Sequence, residues 1–362
     1  LPPDVVTLDL GPSGRVLWTS TASNLCPHQG GASTYYPSVT EYSLPIELPV
    51  VTRAQLTVVA RLSWCVDKVT YSTSGSISDK EYVFKYNPFV TAVGGDTWRE
   101  LQLLARFPRN HPNILAPDAF VVEELTGLGV IGFTMPWVPT PTLDSQWSFK
   151  LSWLRQLITL VDQLHFRYGV HHQDIRARNV FVHPDNPEEI LLFDFNFAET
   201  VDALNPARDD IKAVIALVYS LITRDPAFTE KPYFLPAFDE KPILAGAPES
   251  WIKHPRVELD PGVTVPLIYA ELTEWVRQRR DPNNPSTHRR PGPAAIRKPP
   301  LPTPPSDIVT RDEFGYEINL IDGSTHAEER IRFGRPVLNW RRPPASKLDP
   351  TRRMLATGRY VD

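Results

Sequence analysis

The 362-residue chain is long enough for two domains or for one bilobal unit with extensions. Its 41% hydrophobic and 22% charged residues are ordinary for a globular protein. The net charge of −4 offers no global attraction to nucleic acid or to an anionic membrane. No run approaches the roughly 20 apolar residues of a membrane span, so neither nucleic acid nor membrane is expected as a partner. Cys26 and Cys65 provide no disulfide framework and point to a reducing, intracellular compartment, cytoplasmic or nuclear.

Two compositional features stand out. Proline is abundant, at 38 residues. Charge is uneven: residues 282–362 carry 14 Lys and Arg against 9 Asp and Glu, and the remainder carries 24 against 33. The chain opens on Leu1-Pro2-Pro3-Asp4, without Met and without a signal-like apolar core.

Residues 1–53 read as an N-terminal extension packed on the next domain. They are rich in Ser, Thr, Pro and Tyr, with strand-like pieces at Val5-Val6-Thr7-Leu8 and Arg15-Val16-Leu17-Trp18. Residues 54–86 read as a β meander: 56–62, then 66–71, then Glu81-Tyr82-Val83-Phe84-Lys85-Tyr86. Lys85 closes an apolar strand, where a solvated lysine is less expected. From Asp96, a capping residue, a helix is expected, with Leu101, Leu104 and Ala105 on one face and Glu100 beside them. The loop His111-Pro112-Asn113-Ile114-Leu115 follows. Two further strands, Ala119 to Val122 and Val130 to Met135, flank the turn signal Thr126-Gly127-Leu128-Gly129. Met135-Pro136-Trp137-Val138 comes next.

Residues 149–168 give the clearest helix. Leu151, Leu154, Leu157, Ile158, Val161, Leu164 and His165 form one stripe, and Gly169 ends it. A loop then carries His172-Gln173-Asp174 and Asn179, and the apolar run 190–193 ends at Asp194-Phe195-Asn196. The carboxylates Asp174 and Asp194 and the amide Asn179 gather at one mouth in this reading. Asp174 suits proton acceptance, and Asn179 and Asp194 offer hard oxygen ligands of the kind Mg²⁺ takes. Positioning, a base and a metal to neutralise phosphate charge are the requirements of phosphoryl transfer. His165, His171 and His172 lack metal-ligand spacing, and His172 reads as a core histidine holding the loop. Residues 208–223 form a buried helix, and Val265 to Arg280 an amphipathic one. Residues 282–305, with nine prolines and several basic residues, form a Pro-rich linker that a proline-reading domain could also bind. The tail 306–362 has many large apolar side chains and is expected to dock on the body.

These motifs resemble the eukaryotic protein kinase-like superfamily over roughly residues 55–280. His172-Gln173-Asp174 with Asn179 resembles its catalytic loop. Asp194-Phe195-Asn196 resembles its metal-binding Asp-Phe-Gly, Lys85 and Glu100 its strand lysine and helix glutamate, and 111–115 the loop after that helix. The resemblance implies an α+β, bilobal protein kinase-like fold. Residues 54–136 would form a small β-rich N-lobe and 137–281 a helical C-lobe, with N- and C-terminal extensions. It implies ATP with Mg²⁺, or Mn²⁺, as cofactors. Lys85 braced by Glu100 would hold the phosphates. Phe133 would border the adenine, which the hinge at Met135 and Trp137 would bind through its backbone. Arg176 would lie where the family contacts phosphate. Asn179 and Asp194 would hold the metal, and Asp174 would take the acceptor proton. Asp210 resembles the residue that ties the central C-lobe helix back to the catalytic loop. The function implied is transfer of the γ-phosphate to a protein hydroxyl; the partner would then be a protein substrate.

Several departures set the alternatives. No glycine occurs between Ala32 and Ser74, so the glycine-rich phosphate flap is absent; Trp64, Asp67 or Lys68 would crowd its place. Only 15 residues separate Asp194 from Asp210, too few for an activation segment. Ala247-Pro248-Glu249 falls after the central helix, out of order for the substrate platform it spells. Gln173 and Asn196 replace the usual Arg and Gly. An atypical kinase, a pseudokinase that binds partner proteins, and a small-molecule kinase of the aminoglycoside or choline type all remain open.

Overall fold

The computed structural model describes residues 5–10, 16–21, 38–42, 48–63, 66–71, 80–86, 96–123, 129–225, 240–245, 248–284, 295–296, 353–355 and 360–361. In chain order the strands and helices are β1 (Val5–Leu10), β2 (Val16–Thr21), β3 (Val50–Thr52), β4 (Thr57–Ser63), β5 (Val66–Thr70) and β6 (Glu81–Tyr86). Then come α1 (Asp96–Leu104), β7 (Ala119–Glu123), β8 (Gly129–Pro136), β9 (Ser148–Phe149), α2 (Leu151–Asp162), β10 (Val170–His171) and β11 (Val180–Val182). The remainder are β12 (Ile190–Leu192), β13 (Glu199–Thr200), α3 (Asp210–Thr223), α4 (Lys241–Ala245), β14 (Glu258–Leu259), α5 (Val265–Arg280), β15 (Arg353–Leu355) and β16 (Tyr360–Val361). The fold is mixed α+β.

The chain divides into two compact units. Unit 1 comprises Leu1–Ala105, Pro117–Trp137 and Pro300–Asp362; unit 2 comprises Arg106–Ala116 and Val138–Pro299.

Unit 1 is built on a mixed sheet of order β16-β15-β4-β5-β6-β8-β7-β3. Six of its strands, β3 to β8, form the body, and β3 runs parallel to β7 at the edge. β3 lies within the stretch read as an N-terminal extension, so that stretch contributes a strand. At the other edge β15 of the tail pairs with β4, Met354 opposite Val58. β6 shows why this region is a strand: Tyr82, Phe84 and Tyr86 are buried at period two, alternating with Glu81, Val83 and Lys85. Gly132 on β8 is fixed by close approach. A Cβ there would sit 2.2 Å from the Lys85 carbonyl oxygen and 2.7 Å from the Tyr86 Cα. Lys85 is directly opposite Phe133 in this ladder.

Unit 2 is mainly helical. α2 buries Leu151, Trp153, Leu154, Leu157, Leu160 and Val161 at helical spacing. It continues as a π-helical turn over Gln163–Tyr168 and stops at Gly169, whose φ of +66° is the left-handed conformation that glycine adopts without Cβ strain. α3 starts where Asp209 accepts from the N–H groups of Ile211 and Lys212. α5 is capped by Thr264, has Pro266 in its first turn, and carries Arg277, Arg279 and Arg280 in its last, where cations complement the helix dipole. The loop at 111–115 belongs to this unit for a specific reason. Asn113 Nδ2 donates to Gln156 Oε1 and to the Ile190 carbonyl, both at 2.9 Å, and Leu115 N–H donates to the Leu192 carbonyl at 3.1 Å. Ile296, from the Pro-rich stretch, is buried and donates its N–H to the Tyr168 carbonyl at 2.8 Å.

Among the described residues no helix is long and apolar enough to cross a membrane. Trp64, residues 285–294 and residues 306–352, where the turn side chain, most of the linker and most of the tail were read, lie outside the described residues.

Candidate active site

In unit 1 the Lys85 Nζ stands 2.6 Å from Glu100 Oε2. β6 presents the lysine, and α1 presents the glutamate, which is fully buried. A buried carboxylate persists only with a paired cation or dense hydrogen bonding, so each residue accounts for the other's position. Phe133 and Met135 are buried on β8. Trp137 N–H donates to the Glu81 carbonyl at 3.0 Å, and its ring lies beneath the Lys68 ammonium, 4.5 Å away. Lys68 also pairs with Glu81 at 2.7 Å. The β4–β5 hairpin closes at Ser63 opposite Val66. Asp67 just beyond it is buried.

Unit 2 holds the acidic cluster. β10 delivers the chain into an extended loop through Asp174, a 3₁₀ turn forms at Ala177–Asn179, and β11 and β12 then pair as a short hairpin. The ladder runs Val180 opposite Leu192, and Phe193 N–H donates to the Asn179 carbonyl at 3.1 Å. Asp194 is therefore the second residue beyond a β pair that begins at Asn179's neighbour. Its φ of +65° is a left-handed conformation that Asp tolerates better than most residues.

His172 binds the two loops together. Its Nδ1 accepts the Asp174 N–H at 3.2 Å, so Nε2 carries the proton and donates to the Phe193 carbonyl at 3.1 Å. The Phe193 peptide is held from both ends, and Phe195 packs edge-on against the His172 ring at 4.5 Å. Asn179 Nδ2 donates to the Asp174 carbonyl and to Asp174 Oδ2, both at 2.9 Å. The Asn179 amide nitrogen is thus directed at Asp174 through both bonds, and neither bond uses Asn179 Oδ1. That donor set, an amide oxygen with the Asp194 carboxylate, suits a hard cation such as Mg²⁺.

Behind the loop, Asp210 of α3 accepts the N–H groups of His172 and Gln173 at 2.8 and 2.7 Å and the His165 Nε2–H at 2.9 Å. Burial alone would raise its carboxyl; the His165 hydrogen bond together with the electrostatic influence of His165, His172 and His171 outweighs that and holds it below the ordinary carboxylate value. Gln173 adopts φ +61°. Its N–H bonds Asp210, its carbonyl accepts from Arg208 at 3.0 Å, and its side chain donates to the Asn205 carbonyl at 3.2 Å. Three anchors hold a conformation that costs on the order of 1–3 kcal/mol for a residue other than glycine.

His165, His171 and Asp210 lie close enough to suggest a metal centre. His165 and Asp210 are otherwise engaged: Arg279 donates to His165 Nδ1, His165 Nε2 faces Asp210, and Asp210 also accepts two loop N–H groups, while the His171 ring stacks on His165 at 3.7 Å. The cluster buttresses the loop that carries Asp174. Burial, with the neighbouring His165 ring and Arg279 guanidinium, depresses the His171 imidazole to about 4. Between about 4 and the ordinary 6.5, the unfolded chain binds a proton that the folded chain does not, so stability falls as pH drops through that window. The expected loss is on the order of 2–3 kcal/mol. Chemical melts of wild type and His171→Phe at pH 7 and pH 4.5 check it, with the acid loss reduced in the variant.

Arg176, expected at a nucleotide phosphate, instead places its Nε 2.8 Å from Asp174 Oδ1. Arg208 Nη1 is 3.6 Å from the same oxygen. Sequence reasoning missed Arg208, because nothing in its local pattern marks it; β13 pairing with β10 and the approach to α3 bring it back to the loop. It also missed Arg279, which reaches His165 and Asp162 from the end of α5.

No protein-family model matches the chain, and no curated protein aligns with it significantly.

Proposed function

We propose that the chain is an ATP- and Mg²⁺-dependent phosphotransferase of the atypical protein kinase kind, with unit 1 as the β-rich lobe and unit 2 as the helical lobe of a kinase-like fold. The observation that carries this reading is the cross-tied loop pair in unit 2. His172 and Asn179 join Asp174 to the peptide that precedes Asp194, so a base and two oxygen ligands are preorganised together. Lys85, braced by Glu100, holds nucleotide phosphates. Phe133, Met135 and Trp137 supply the base-binding side. Asn179 Oδ1 and Asp194 hold the metal, which when bound neutralises phosphate charge. Asp174 orients the acceptor hydroxyl of a protein and takes its proton as the new P–O bond forms, while the bond from the γ-phosphorus to the β,γ-bridging oxygen of ATP breaks and ADP leaves. Without a glycine-rich flap, nucleotide affinity is expected to be weak.

A second reading, transfer to a small molecule, draws on the segment after Asp194. That segment passes through a 3₁₀ turn at Phe195–Phe197, β13 and a second turn at Val201–Ala203 before α3, leaving little chain for a peptide platform.

Calorimetric titration of ATP with and without Mg²⁺ and Mn²⁺, for wild type and Asp194→Asn, tests the proposal. Metal-dependent binding lost in the variant is the expected result. A folded protein that binds no nucleotide would sink it in favour of a pseudokinase scaffold.

A further inference from the structure

Unit 2 has a second concave surface, at the C-terminal end of α3, that shares no residue with the acidic cluster. It is an open pocket of about 290 Å³, with Tyr219, Thr223, Ile252, Lys253 and His254 in its wall. That volume lies near the lower end for ligand sites and has room for a side chain of a bound peptide. The His254 N–H donates to the Ile222 carbonyl at 3.0 Å, which ties the pocket wall to the helix end. Ile252 is 78% exposed at the pocket, and Trp147, whose ring lies 5.3 Å from that of His254, is 38% exposed. Arg256 is exposed and lies over the Trp147 ring, 3.8 Å from the centroid. Arg224, in a left-handed conformation at φ +53°, reaches the same ring at 4.8 Å and donates to the Asp144 and Gln146 carbonyls. Lys253 Nζ donates to the carbonyls of His254 at 3.3 Å and Val257 at 2.6 Å. Rings and carbonyls thus hold all three cations, and among the described residues none of them forms an ion pair with a carboxylate. The acids around them are Asp144, which accepts the Thr142 hydroxyl at 2.6 Å, Asp225, which faces the Tyr219 hydroxyl at 3.5 Å, and exposed Glu258. Scattered exposed apolar residues are ordinary. Trp, Tyr and Arg gathered at a pocket are the composition of interface hot spots.

We infer that this face docks an extended segment of a partner protein in which acidic side chains flank a large apolar one. The apolar side chain enters the pocket against Ile252 and Tyr219. The carboxylates meet Arg256 and Lys253, whose charges have no carboxylate partner of their own. The chain's own Pro-rich stretch is a poor occupant, because Arg289, Arg290, Arg297 and Lys298 give it the same sign as the rim. The inference is independent of the phosphotransferase reading.

The test selects peptides from a random library on the full chain and measures the enriched ones by fluorescence polarisation. Enriched peptides are expected to place Leu, Ile or Phe beside Asp or Glu. Their affinity should fall at least about tenfold in Ile252→Ser and in Arg256→Glu, and by less than about threefold in Arg256→Lys. Both side chains are exposed, so these variants are expected to fold as wild type does. Binding should also weaken severalfold at about 300 mM salt. The docking face is overturned if no peptide is enriched, if the enriched peptides lack acids, or if Ile252→Ser and Arg256→Glu bind them as wild type does. A dimer in sedimentation that Ile252→Ser dissociates would overturn the partner and assign the face to a second copy of this chain.

Discussion

Asp174→Asn is expected to lower phosphoryl transfer by about 10²–10⁴-fold while Mg-ATP affinity stays within about twofold. The substitution is isosteric, and its local cost can be read from the geometry. Oδ1 receives Arg176 Nε at 2.8 Å, and an amide oxygen there still accepts it. Oδ2 receives Asn179 Nδ2 at 2.9 Å, and an amide nitrogen there sets donor against donor. One hydrogen bond is lost, worth on the order of 1–3 kcal/mol with its unsatisfied partner. The variant should remain folded by circular dichroism. Single-turnover assays with labelled ATP then separate loss of chemistry from loss of structure. Transfer within about threefold of wild type would remove Asp174 from the role of base.

The second large effect is in unit 1. Lys85→Met leaves Glu100 fully buried opposite an apolar side chain. Breaking a buried pair by removing one partner costs about 3–5 kcal/mol, whereas replacing both partners with packed apolar groups is often close to neutral. Denaturant melts should therefore show Lys85→Met strongly destabilised and Lys85→Met/Glu100→Leu restored to within about 1 kcal/mol of wild type. Nucleotide binding should be lost in both. If the restored double variant bound Mg-ATP as wild type does, the pair would be a structural brace with no part in phosphate binding.

These two predictions draw on different parts of the molecule, and they show what could be read in the chain before its structure. Period-two burial in 81–86, the 3.6-residue stripes of 151–161 and 265–280, and the stop at Gly169 were legible because the pattern and the element lie within one segment. Asp174, Asn179 and Asp194 stood out because their residue types sit at fixed offsets beside apolar runs, and Lys85 and Glu100 because they resemble the strand lysine and helix glutamate of the kinase-like superfamily. The edge strand β3 was not legible, because Val50-Val51-Thr52 is too short to show a period and gains its partner only from β7, far along the chain. The tail strand β15 was hidden for the same reason, since its pairing with β4 spans nearly the whole sequence.

By itself, the sequence determined the local elements, the absence of glycine from the β4–β5 turn, and the short passage from Asp194 to Asp210. These follow from residue identity and distance along the chain. The tertiary structure alone decided where the charges meet. It turned Arg176 onto Asp174, brought Arg208 to the same oxygen, and set Arg279 against His165. Long flexible cations take their partners from whatever carboxylate, carbonyl or imidazole the packed backbone places within a few ångströms. No spacing in the sequence encodes that choice.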